Sequence, residues 1–309
     1  MHLTTPSPAH AAALTPHLAA THAVLDGDRL VGGLAVSRPR PGTVEPSVWV
    51  VPEERRRGVA TRAVRALCRD AGERVELVTM ITDTTAQRLA LNAGFTREAV
   101  RRGGTLRDGT RHDDVVWAWL PGDGGGPVRR SLPDLPGGAL ADGEVALRPL
   151  DLTDVDAMLH LGNLPDVRAR SLSRHERTRP EIERRCAAVA SDWLAGVRAE
   201  LTILVDGGFA GNISLFNEAF SRQAMVGYSM LPSLRGRGVA TRAVRLLSAW
   251  AFEIGVRRLM AGTMTDNVAS QRVLAKAGFV REGIQRSRFE GPGGTRLDDV
   301  THVLFPAPG

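Results

Sequence analysis

Apolar residues recur along the chain with two different periods, and each period predicts one kind of element. Continuous or alternating apolar runs of about four to eight residues are typical of strands, and an apolar residue at every third or fourth position is typical of a helix. In the second half of the chain, the pattern predicts strands at residues 145–150, 201–205, 209–215, 225–231 and 258–263. It predicts helices at residues 154–162, 182–195, 239–254 and 268–277, followed by two strands that end at Phe305.

Polar residues ahead of two of these helices predict where the helices begin. Thr153 or Asp154 is expected to cap the first helix, and Thr178 and Glu181 have the spacing of a capping box ahead of the second. The order of elements is strand, two helices, three strands, helix, strand, helix and two strands. This alternation predicts an α/β domain with helices packed on a sheet.

The first half carries a shorter version of the same pattern. Its alanine-rich start, residues 8–20, predicts one short helix that Pro16 interrupts. The pattern then predicts a hairpin, three more strands and two helices, at residues 21–36, 48–51, 59–72, 75–81, 85–92 and 115–120. Neither a first strand nor a pair of helices is predicted before the hairpin, so the first half is expected to be a truncated copy.

One basic stretch occurs twice, 180 positions apart. Leu-Arg-Gly-Arg-Gly-Val-Ala-Thr-Arg-Ala-Val-Arg ends at Arg245, and Arg-Arg-Arg-Gly-Val-Ala-Thr-Arg-Ala-Val-Arg ends at Arg65. Each copy follows an apolar run that ends in proline, at Pro52 and Pro232, and each precedes a helical pattern. The repeat indicates two domains of one fold, each with a strand, a glycine-containing loop and a helix in succession.

The repeated loop has the composition of an anion site. Glycines such as Gly236 and Gly238 let main-chain N–H groups converge, and the positive end of the following helix dipole lies at the same point. The alternative is a tight turn that needs glycine only for its conformation and leaves its arginines in solvent. The second occurrence, in the same context, favours a shared use in binding, most plausibly of phosphate.

Glycine and proline are concentrated between the two halves. The stretch before Gly143 lacks a periodic apolar pattern, which is typical of a linker. We therefore predict an N-terminal domain at residues 1–121, a linker at 122–143 and a C-terminal domain at 144–309.

Composition narrows the function classes. The formal charge of +6 and the pI near 10.6 raise the question of nucleic acid, but acidic residues are interspersed with the arginines and Tyr228 is the single tyrosine. A basic entrance to a site for an anionic cofactor explains part of the charge.

Apolar runs stay well below the roughly 20 residues that span a bilayer, and no leader pattern follows Met1. We expect a cytoplasmic protein that binds neither nucleic acid nor membrane.

The cysteine and acidic residues give no pattern of a metal site. Cys68 and Cys186 lie in separate halves, within predicted helices, and are expected to be buried free thiols. Several charged residues repeat near the ends of the two halves, and strand-end caps and ion pairs are their expected roles. They are Glu98 with Arg101 and Arg102, Glu282 with Arg286, His112-Asp113-Asp114, and Leu297-Asp298-Asp299.

The repeated stretch resembles the acetyl-CoA pyrophosphate loop of the GNAT acetyltransferase superfamily, Gln/Arg-x-x-Gly-x-Gly/Ala. The resemblance implies two tandem domains, each a mixed, mostly antiparallel sheet flanked by helices and splayed at an acetyl-CoA cleft. It implies acetyl-CoA as co-substrate and no metal. The main chain of Met230 and Leu231 would hold the pantetheine arm. The loop residues would hold the pyrophosphate, and they are Arg235, Gly236, Arg237, Gly238, Val239 and Ala240, with Arg55, Arg57, Gly58 and Ala60 in the first copy.

Residues 265–279 resemble the Asn-x-x-Ser…Gly-Phe segment of the branch that acetylates ribosomal-protein N-termini. By this match the Asn267 amide would bond the cofactor arm and Ser270 would sit near the sulfur. Capping of the next helix is the alternative role of Asn267, and the two are compatible. Many relatives have a tyrosine four residues before Gly-Phe to protonate the thiolate. Leu274 stands there, so Ser270 or a bound water must serve.

The amine acceptor must lose a proton before it attacks, and no base is evident at the position where relatives often carry a glutamate. Glu218, Tyr228 and His175 are the available candidates, each with a surface or core role as the alternative. In the first half, residues 82–87 lack the asparagine and place Ala86 where Ser270 falls. That domain is expected to keep the fold and loop, to bind cofactor weakly and to lack catalysis.

The sequence therefore predicts an N-acetyltransferase whose C-terminal domain transfers acetyl from acetyl-CoA to a primary amine by direct attack. The acceptor is either a small-molecule amine or a peptide N-terminus. A non-catalytic acyl-CoA sensor or scaffold is the alternative from another class, and the chain is expected to be a monomer or a homodimer.

Overall fold

Each half of the chain forms its own sheet in the computed structural model, which describes residues 1–15, 20–171 and 174–307 apart from the side chain of Pro292. The chain divides into two units, Met1–Arg129 and Arg130–Gly309. Residues 130–143, which fall within the predicted linker, pack with the second unit. Leu132 and Leu135 are buried in its core, and Trp193 Nε1 donates a hydrogen bond of 2.9 Å to the Pro133 carbonyl.

The first unit consists of short helices and a seven-stranded sheet. Its helices are α1 (Pro8–Leu14), α2 (Val59–Ala71) and α3 (Thr84–Ala93). Its strands are β1 (His2–Thr4), β2 (His22–Asp26), β3 (Arg29–Arg40), β4 (Thr43–Val50), β5 (Arg74–Met80), β6 (Thr96–Arg107) and β7 (Thr110–Trp119). They lie in the order β1-β2-β3-β4-β5-β7-β6, and β4–β5 is the parallel pair in an otherwise antiparallel sheet.

The expectation that the first unit lacks a first strand is wrong. β1 pairs with β2 at the edge of the sheet, with Leu3 opposite Val24. It has three residues and one aliphatic side chain, too few to produce a periodic signal. The predicted helix is present as α1, which Ser7 caps by accepting a 3.2 Å hydrogen bond from the His10 N–H. Pro16, expected to interrupt it, lies outside the described residues.

The second unit has an eight-stranded sheet. Its strands are β8 (Leu140–Asp142), β9 (Val145–Pro149), β10 (Arg198–Val205), β11 (Gly208–Glu218), β12 (Gln223–Met230), β13 (Arg258–Met264), β14 (Val280–Glu290) and β15 (Arg296–Leu304). Its helices are α4 (Val155–Asn163), α5 (Pro165–Ala169), α6 (Arg179–Leu194), α7 (Val239–Glu253) and α8 (Val268–Lys276). The order is β14-β15-β13-β12-β11-β10-β9-β8, with β12–β13 parallel and the other pairs antiparallel.

α7 covers one face of this sheet with an apolar stripe. Its buried residues recur at helical spacing, so they lie on one side of the helix and enter the main core with inward-facing residues of β10 and β11. Leu247 is fully buried there, and its replacement by alanine would cost about 2–5 kcal/mol. The helix ends at Glu253, and Gly255 follows with φ of 101°.

α4 and α6 cover the opposite face, which carries buried charge as well as a small apolar cluster. The Arg148 guanidinium and the Thr202 hydroxyl both donate to Asp154, at 2.8 Å. Asp154 occupies the N-cap position of α4, as one of the two expected residues, but its side chain is engaged by the sheet and makes no capping hydrogen bond to the helix. The 3-10 turn at Leu152–Asp154 is capped by Asp151, which accepts from the Thr153 N–H at 2.8 Å. The capping box of Thr178 and Glu181 is present at α6.

Both units are thus mixed sheets flanked by helices, and the predicted α/β class is confirmed. Among the described residues, every helix is too short or too polar to cross a membrane.

Candidate functional site

The site forms where two parallel strands separate at the centre of the second sheet. β12 and β13 pair at three positions, the last of which joins Met225 to Met260. β12 continues to Met230 and keeps its pairing with β11 on the other side. Beyond Met225, the side of β12 that faces β13 opens into a cleft, where main-chain groups can pair with an extended ligand.

The loop after β12 forms a cradle of main-chain N–H groups at the open end of the cleft. Gly236 and Gly238 adopt left-handed conformations, with φ of 76° and 80°. Gly238 is the N-cap of α7 and has no side chain to satisfy the first N–H groups of the helix. No described atom lies within 4 Å of the place a Cβ would take at either glycine. The free N–H groups and the helix dipole suit an anion, and the space suits a bulky one such as a diphosphate.

The first unit has the same split and the same loop conformation. β4 and β5 pair at two positions before they separate. Arg56 stands at the position of Gly236 and keeps a left-handed backbone, with φ of 58°, and Gly58 caps α2 with φ of 74°. A left-handed conformation costs a residue with a Cβ about 1–2 kcal/mol. The rest of the first unit therefore holds this loop in shape against the preference of Arg56.

Arg235 and Arg55 tie each loop back to the strand before it. Arg235 Nη2 donates to the Met230 carbonyl at 3.0 Å, and Arg55 Nε donates to the Val50 carbonyl at 3.2 Å. Consecutive residues of a strand direct their main-chain groups to opposite sides. The main-chain groups of Met230 therefore point toward the cleft, while its side chain is buried in the core.

Leu231 does not offer the main-chain groups that were predicted for it. Its N–H donates to the Ala210 carbonyl at 2.9 Å, and its carbonyl accepts from the Leu234 N–H at 3.1 Å. The alternation along the strand turns this residue toward β11 and away from the cleft. Val239 is buried and Ala240 packs against the same core, so only their N–H groups can serve the cradle. The side chain of Arg237 is exposed beside it.

α5 is linked to both sides of the cleft. Asp166 near its start pairs with Arg235, and this guanidinium holds the pKa of the Asp166 carboxyl below its usual value. Arg170, directly after the helix, pairs at 3.3 Å with Asp266 in the segment between β13 and α8. Sequence reasoning missed α5 because its five residues contain a single buried side chain, that of Val167.

Tyr228 and Ser270 form a hydrogen-bonded pair across the cleft. The Tyr228 hydroxyl and the Ser270 Oγ lie 2.8 Å apart. Tyr228 is on β12 opposite Ile213, so its ring faces the core beneath α7, and Ser270 is in the first turn of α8. Burial raises the pKa of the Tyr228 phenol to about 12, although the bond to Ser270 opposes the shift. Two candidate catalytic residues, identified separately in the sequence, are therefore one proton-sharing unit.

Asn267 has the capping role that was left open for it. Its Oδ1 accepts from the N–H of Ser270 at 3.2 Å and so fixes the first turn of α8. The equivalent cap in the first unit is Asp83, which accepts from the Ala86 N–H at 3.0 Å.

Gln271 is a positioning residue that sequence reasoning missed. Its Nε2 donates to the carbonyls of Met264 and Thr265, at 3.2 and 3.1 Å, which fastens α8 to the end of β13. Gln87 makes the same two contacts in the first unit. The repeat could have revealed this role, because a glutamine occurs at the same position in both copies, directly after Ser270 and directly after Ala86.

Two candidate bases are not brought to the site. Glu218 was expected on the turn before β12, but it ends β11 and pairs with Gln223 where β12 begins. Seven residues separate Gln223 from Met230, so the strand carries Glu218 roughly 23 Å from the loop end. His175 instead lies 3.1 Å from Glu181 at the start of α6. Leu274, at the position of the usual tyrosine, is fully buried in the core.

The repeated acidic residues are strand-end caps and ion pairs, as expected. Asp114 and Asp299 are fully buried and each pairs with an arginine. No group of three or more metal-ligating side chains occurs among the described residues. The contacts are Arg101 with Asp114 (3.1 Å), Arg288 with Asp299 (2.8 Å), the Gly103 N–H with Asp113 (2.7 Å), the Ser287 N–H with Asp298 (2.8 Å), Arg74 with Glu98, and Arg258 with Glu282 (2.7 Å).

The thiols of Cys68 and Cys186 are free and buried, as expected. Burial raises the pKa of Cys68 to about 12 and that of Cys186 to about 11. Both therefore stay protonated and unreactive at neutral pH.

The first unit lacks this hydrogen-bonded tyrosine–serine pair. Val48 and Ala86 stand where the second unit has its tyrosine and serine. Beneath its loop lies the buried carboxylate of Glu54, which pairs with Arg29 and, at 3.5 Å, with Arg57. This negative charge weakens an anion cradle and engages one of its expected arginines.

Family models match both units. The model described as "Acetyltransferase (GNAT) domain" matches residues 144–280, and the model described as "Acetyltransferase (GNAT) family" matches residues 3–95. The chain belongs to the GNAT acetyltransferase family. It carries two GNAT domains in tandem.

Individual GNAT proteins match one part of the chain. "Probable N-acetyltransferase YjcK" of Bacillus subtilis is 38% identical over 104 residues, which are 33% of this chain and 58% of that protein. The chain thus spans less than two thirds of this relative. The ribosomal-protein-S5-alanine acetyltransferase structure from Vibrio fischeri superposes with a TM-score of 0.50 at 20% identity, over 55% of this chain and 97% of that one.

A second solved structure is RimJ of Mycobacterium smegmatis in complex with CoA-disulfide. It superposes with a TM-score of 0.50 at 22% identity and covers 56% of this chain and 88% of RimJ. At these identities the two structures establish the shared GNAT fold. The roles of the residues in this chain rest on its own geometry.

Proposed function

We propose that the C-terminal GNAT domain transfers an acetyl group from acetyl-CoA to a primary amine. The observation that carries the proposal is the hydrogen bond between Tyr228 and Ser270, which spans the cleft below a cradle fit for a diphosphate. When bound, acetyl-CoA supplies a thioester carbonyl that a neutral amine can attack. Beyond Met225, β12 has no strand partner on the side of β13. The extended pantetheine arm of acetyl-CoA can therefore pair with the main chain of β12 there.

Each part of the site has a distinct task in this proposal. The N–H groups at residues 236–240 bind the diphosphate, and the main chain of Met230 orients the arm. Orientation of two reactants can lower a barrier by about 7–11 kcal/mol. Tyr228 gives its proton to the departing sulfur as the C–S bond breaks. The nitrogen of the new amide loses its extra proton, which returns to the Tyr228 phenolate through Ser270, a task suited to a phenol that burial keeps protonated at rest.

For the N-terminal GNAT domain we propose weak binding of CoA without transfer. Its loop keeps the backbone conformation of the second loop, but the tyrosine and serine are replaced by Val48 and Ala86. The repeated loop is also what favours the alternative, in which the whole chain is an acyl-CoA sensor or scaffold.

The acceptor is a small-molecule amine, an aminoacyl compound or a peptide N-terminus, and we place the first two ahead. The Vibrio fischeri structure is of an enzyme named for a ribosomal-protein alanine, which favours a peptide. The small, polar side chains of Asn212 and Ser214 on β11 and Ser229 on β12 favour a compact acceptor.

The experiment is to incubate the full chain with acetyl-CoA and a panel of amines and to follow free thiol, with products identified by mass. The acetyltransferase proposal expects thiol release that depends on the amine and an acetylated product. Binding of acetyl-CoA without thiol release would favour the sensor.

A further inference from the structure

Three polar side chains on one wall of the cleft lack hydrogen-bond partners among the described residues. They are Asn212 and Ser214 on β11 and Ser229 on β12. Asn212 is 7% exposed and Ser214 is 4% exposed. Burying an amide or hydroxyl without a partner costs free energy. None of their polar atoms is sealed from solvent, so a molecule that enters the cleft can bond them.

The strand register places these side chains on the face opposite Tyr228. Asn212 lies opposite Ser229, and Ser214 lies opposite Gly227. Side chains alternate between the faces of a strand, so Tyr228 and Ser229 point in opposite directions from neighbouring positions. The Tyr228–Ser270 pair and the polar wall are therefore separated by about the thickness of one strand, at the edge where β12 is open. An acetyl group held beside Tyr228 can meet an acceptor that rests on this wall.

The charge on this face selects among acceptors. Its buried carboxylates are neutralised by arginines: Asp154 pairs with Arg148, and Glu200, which lies opposite Ser214, pairs with Arg185. Glu200 Oε2 accepts no hydrogen bond from the described residues but lies 3.5 Å from Arg198 Nη1, so its charge is compensated as well. The wall itself offers a neutral amide and two hydroxyls. A second cationic group on the acceptor would find no compensating charge here. A neutral amide would find both a donor and an acceptor in the Asn212 side chain.

The first unit provides the contrast. Gly33 lies opposite Trp49 and so has the position of Asn212 in the register. Leu14 of α1 fills the space above it, with both methyl carbons 3.0 Å from where a Cβ would be. The corresponding wall in the unit without the reactive pair is thus apolar and filled.

We propose that Asn212, Ser214 and Ser229 form the acceptor subsite, and that it takes an amine whose neighbouring group is a neutral amide, as in an aminoacyl amide. The proposal rests on the proposed function and names its acceptor class. Asn212 is the specificity-determining residue, because its amide meets the amide of the acceptor.

The test compares alaninamide with 1,4-diaminobutane as acceptors for the wild-type chain and Asn212→Asp. The substitution is nearly isosteric and adds one carboxylate to the wall. We expect the ratio of kcat/KM for alaninamide to that for diaminobutane to fall by about tenfold or more, because hydrogen bonds to charged groups are the stronger ones. Intrinsic differences in amine basicity cancel, because the ratio is compared between variants.

Asn217→Asp is the matched control. Asn217 is on the same strand but on the core face, near the closed end of the cleft, where it donates to the Gly196 carbonyl at 2.8 Å. Its substitution should leave the ratio unchanged. An equal shift in both variants, or no shift in Asn212→Asp, would overturn the acceptor subsite while leaving acetyl transfer intact. If neither amine releases thiol but another amine of the panel does, the acceptor subsite fails; if no amine of the panel does, the proposed function itself fails.

Ser229→Ala provides an independent measurement should Asn212→Asp not fold. We expect a higher KM for alaninamide, by about threefold to tenfold, because one neutral hydrogen bond is lost. The dissociation constant of CoA should not change. An unchanged KM, or a loss of CoA affinity of the same size, would contradict the assignment.

Discussion

The proposed chemistry depends most on one group, the hydroxyl of Tyr228. Tyr228→Phe keeps the ring and its packing and removes only the contact with Ser270. Loss of a general acid typically costs 10²-fold or more. We expect kcat to fall about a hundredfold with the dissociation constant of CoA unchanged, as measured by thiol release and calorimetry. A Tyr228→Phe variant with the kcat of the wild type would assign proton donation to water.

The pH profile follows from the burial of Tyr228. Because burial raises the pKa of this phenol from its ordinary value near 10 to about 12, it keeps its proton throughout the neutral and mildly alkaline range. The donor is lost only as pH rises toward about 12. We therefore expect kcat not to decline between pH 7 and 10. A decline in this range that disappears in Tyr228→Phe would contradict the assignment.

Arg56 is a strained residue, and its replacement should stabilise the first unit. Glycine adopts the left-handed conformation of Arg56 without steric cost, although it loses more chain entropy on folding. The expected net gain for Arg56→Gly is about 0.5–1 kcal/mol, seen as a higher unfolding temperature in calorimetry of the full chain. Arg57→Gly is the control, since residue 57 is not left-handed. A gain in the control, or a loss in Arg56→Gly, would show that the strain is not the cause.

Among the elements, α5 is the one whose contacts compete with the diphosphate of CoA for an arginine of the loop. Its Asp166 holds Arg235, an arginine of the loop expected to bind the diphosphate. Asp166→Asn should free this arginine and tighten CoA binding about twofold to fivefold, the range of an exposed ion pair. Asp266→Asn removes one negative charge and the other link of α5 but leaves Arg235 engaged. Equal tightening in both variants, measured by calorimetry, would indicate a general charge effect instead.

The elements with strong apolar periodicity were predictable, and those that depend on partners were not. α7 and β11 bury long stripes, so their residues alone indicate their type and approximate ends. β1 and α5 are three and five residues long. β1 is stabilised by its pairing with the sheet edge, and α5 by ion pairs with residues distant in sequence. Such long-range contacts are not visible in the local sequence pattern.

The site followed the same division. The loop at Gly238 was predictable because a left-handed N-cap requires glycine and the requirement recurs at Gly58. Leu231 was misassigned because the alternation of main-chain groups depends on which side of β12 is paired. Glu218 was misplaced because the pairing of β11 with β12 extends to Glu218 and Gln223, so that the turn contains only the residues between them. Neither fact is visible without the register.

The molecule as a whole is a duplicated fold in which Val48 and Ala86 of the first copy stand where the second copy has Tyr228 and Ser270. Both units have the split sheet and the left-handed loop, so a common cradle is retained. The pair formed by Tyr228 and Ser270 and the polar wall occur in the second unit. We therefore expect turnover in the second unit and no acetyl transfer by the first.

Matched substitutions at the two N-caps test this assignment directly. Gly238→Glu and Gly58→Glu each place a carboxylate on a left-handed residue at the centre of a cradle. The measurement is thiol release by the full chain with acetyl-CoA and alaninamide. We expect Gly238→Glu to abolish thiol release and Gly58→Glu to leave it at the wild-type rate. Turnover that survives Gly238→Glu, or is lost in Gly58→Glu, would contradict the account.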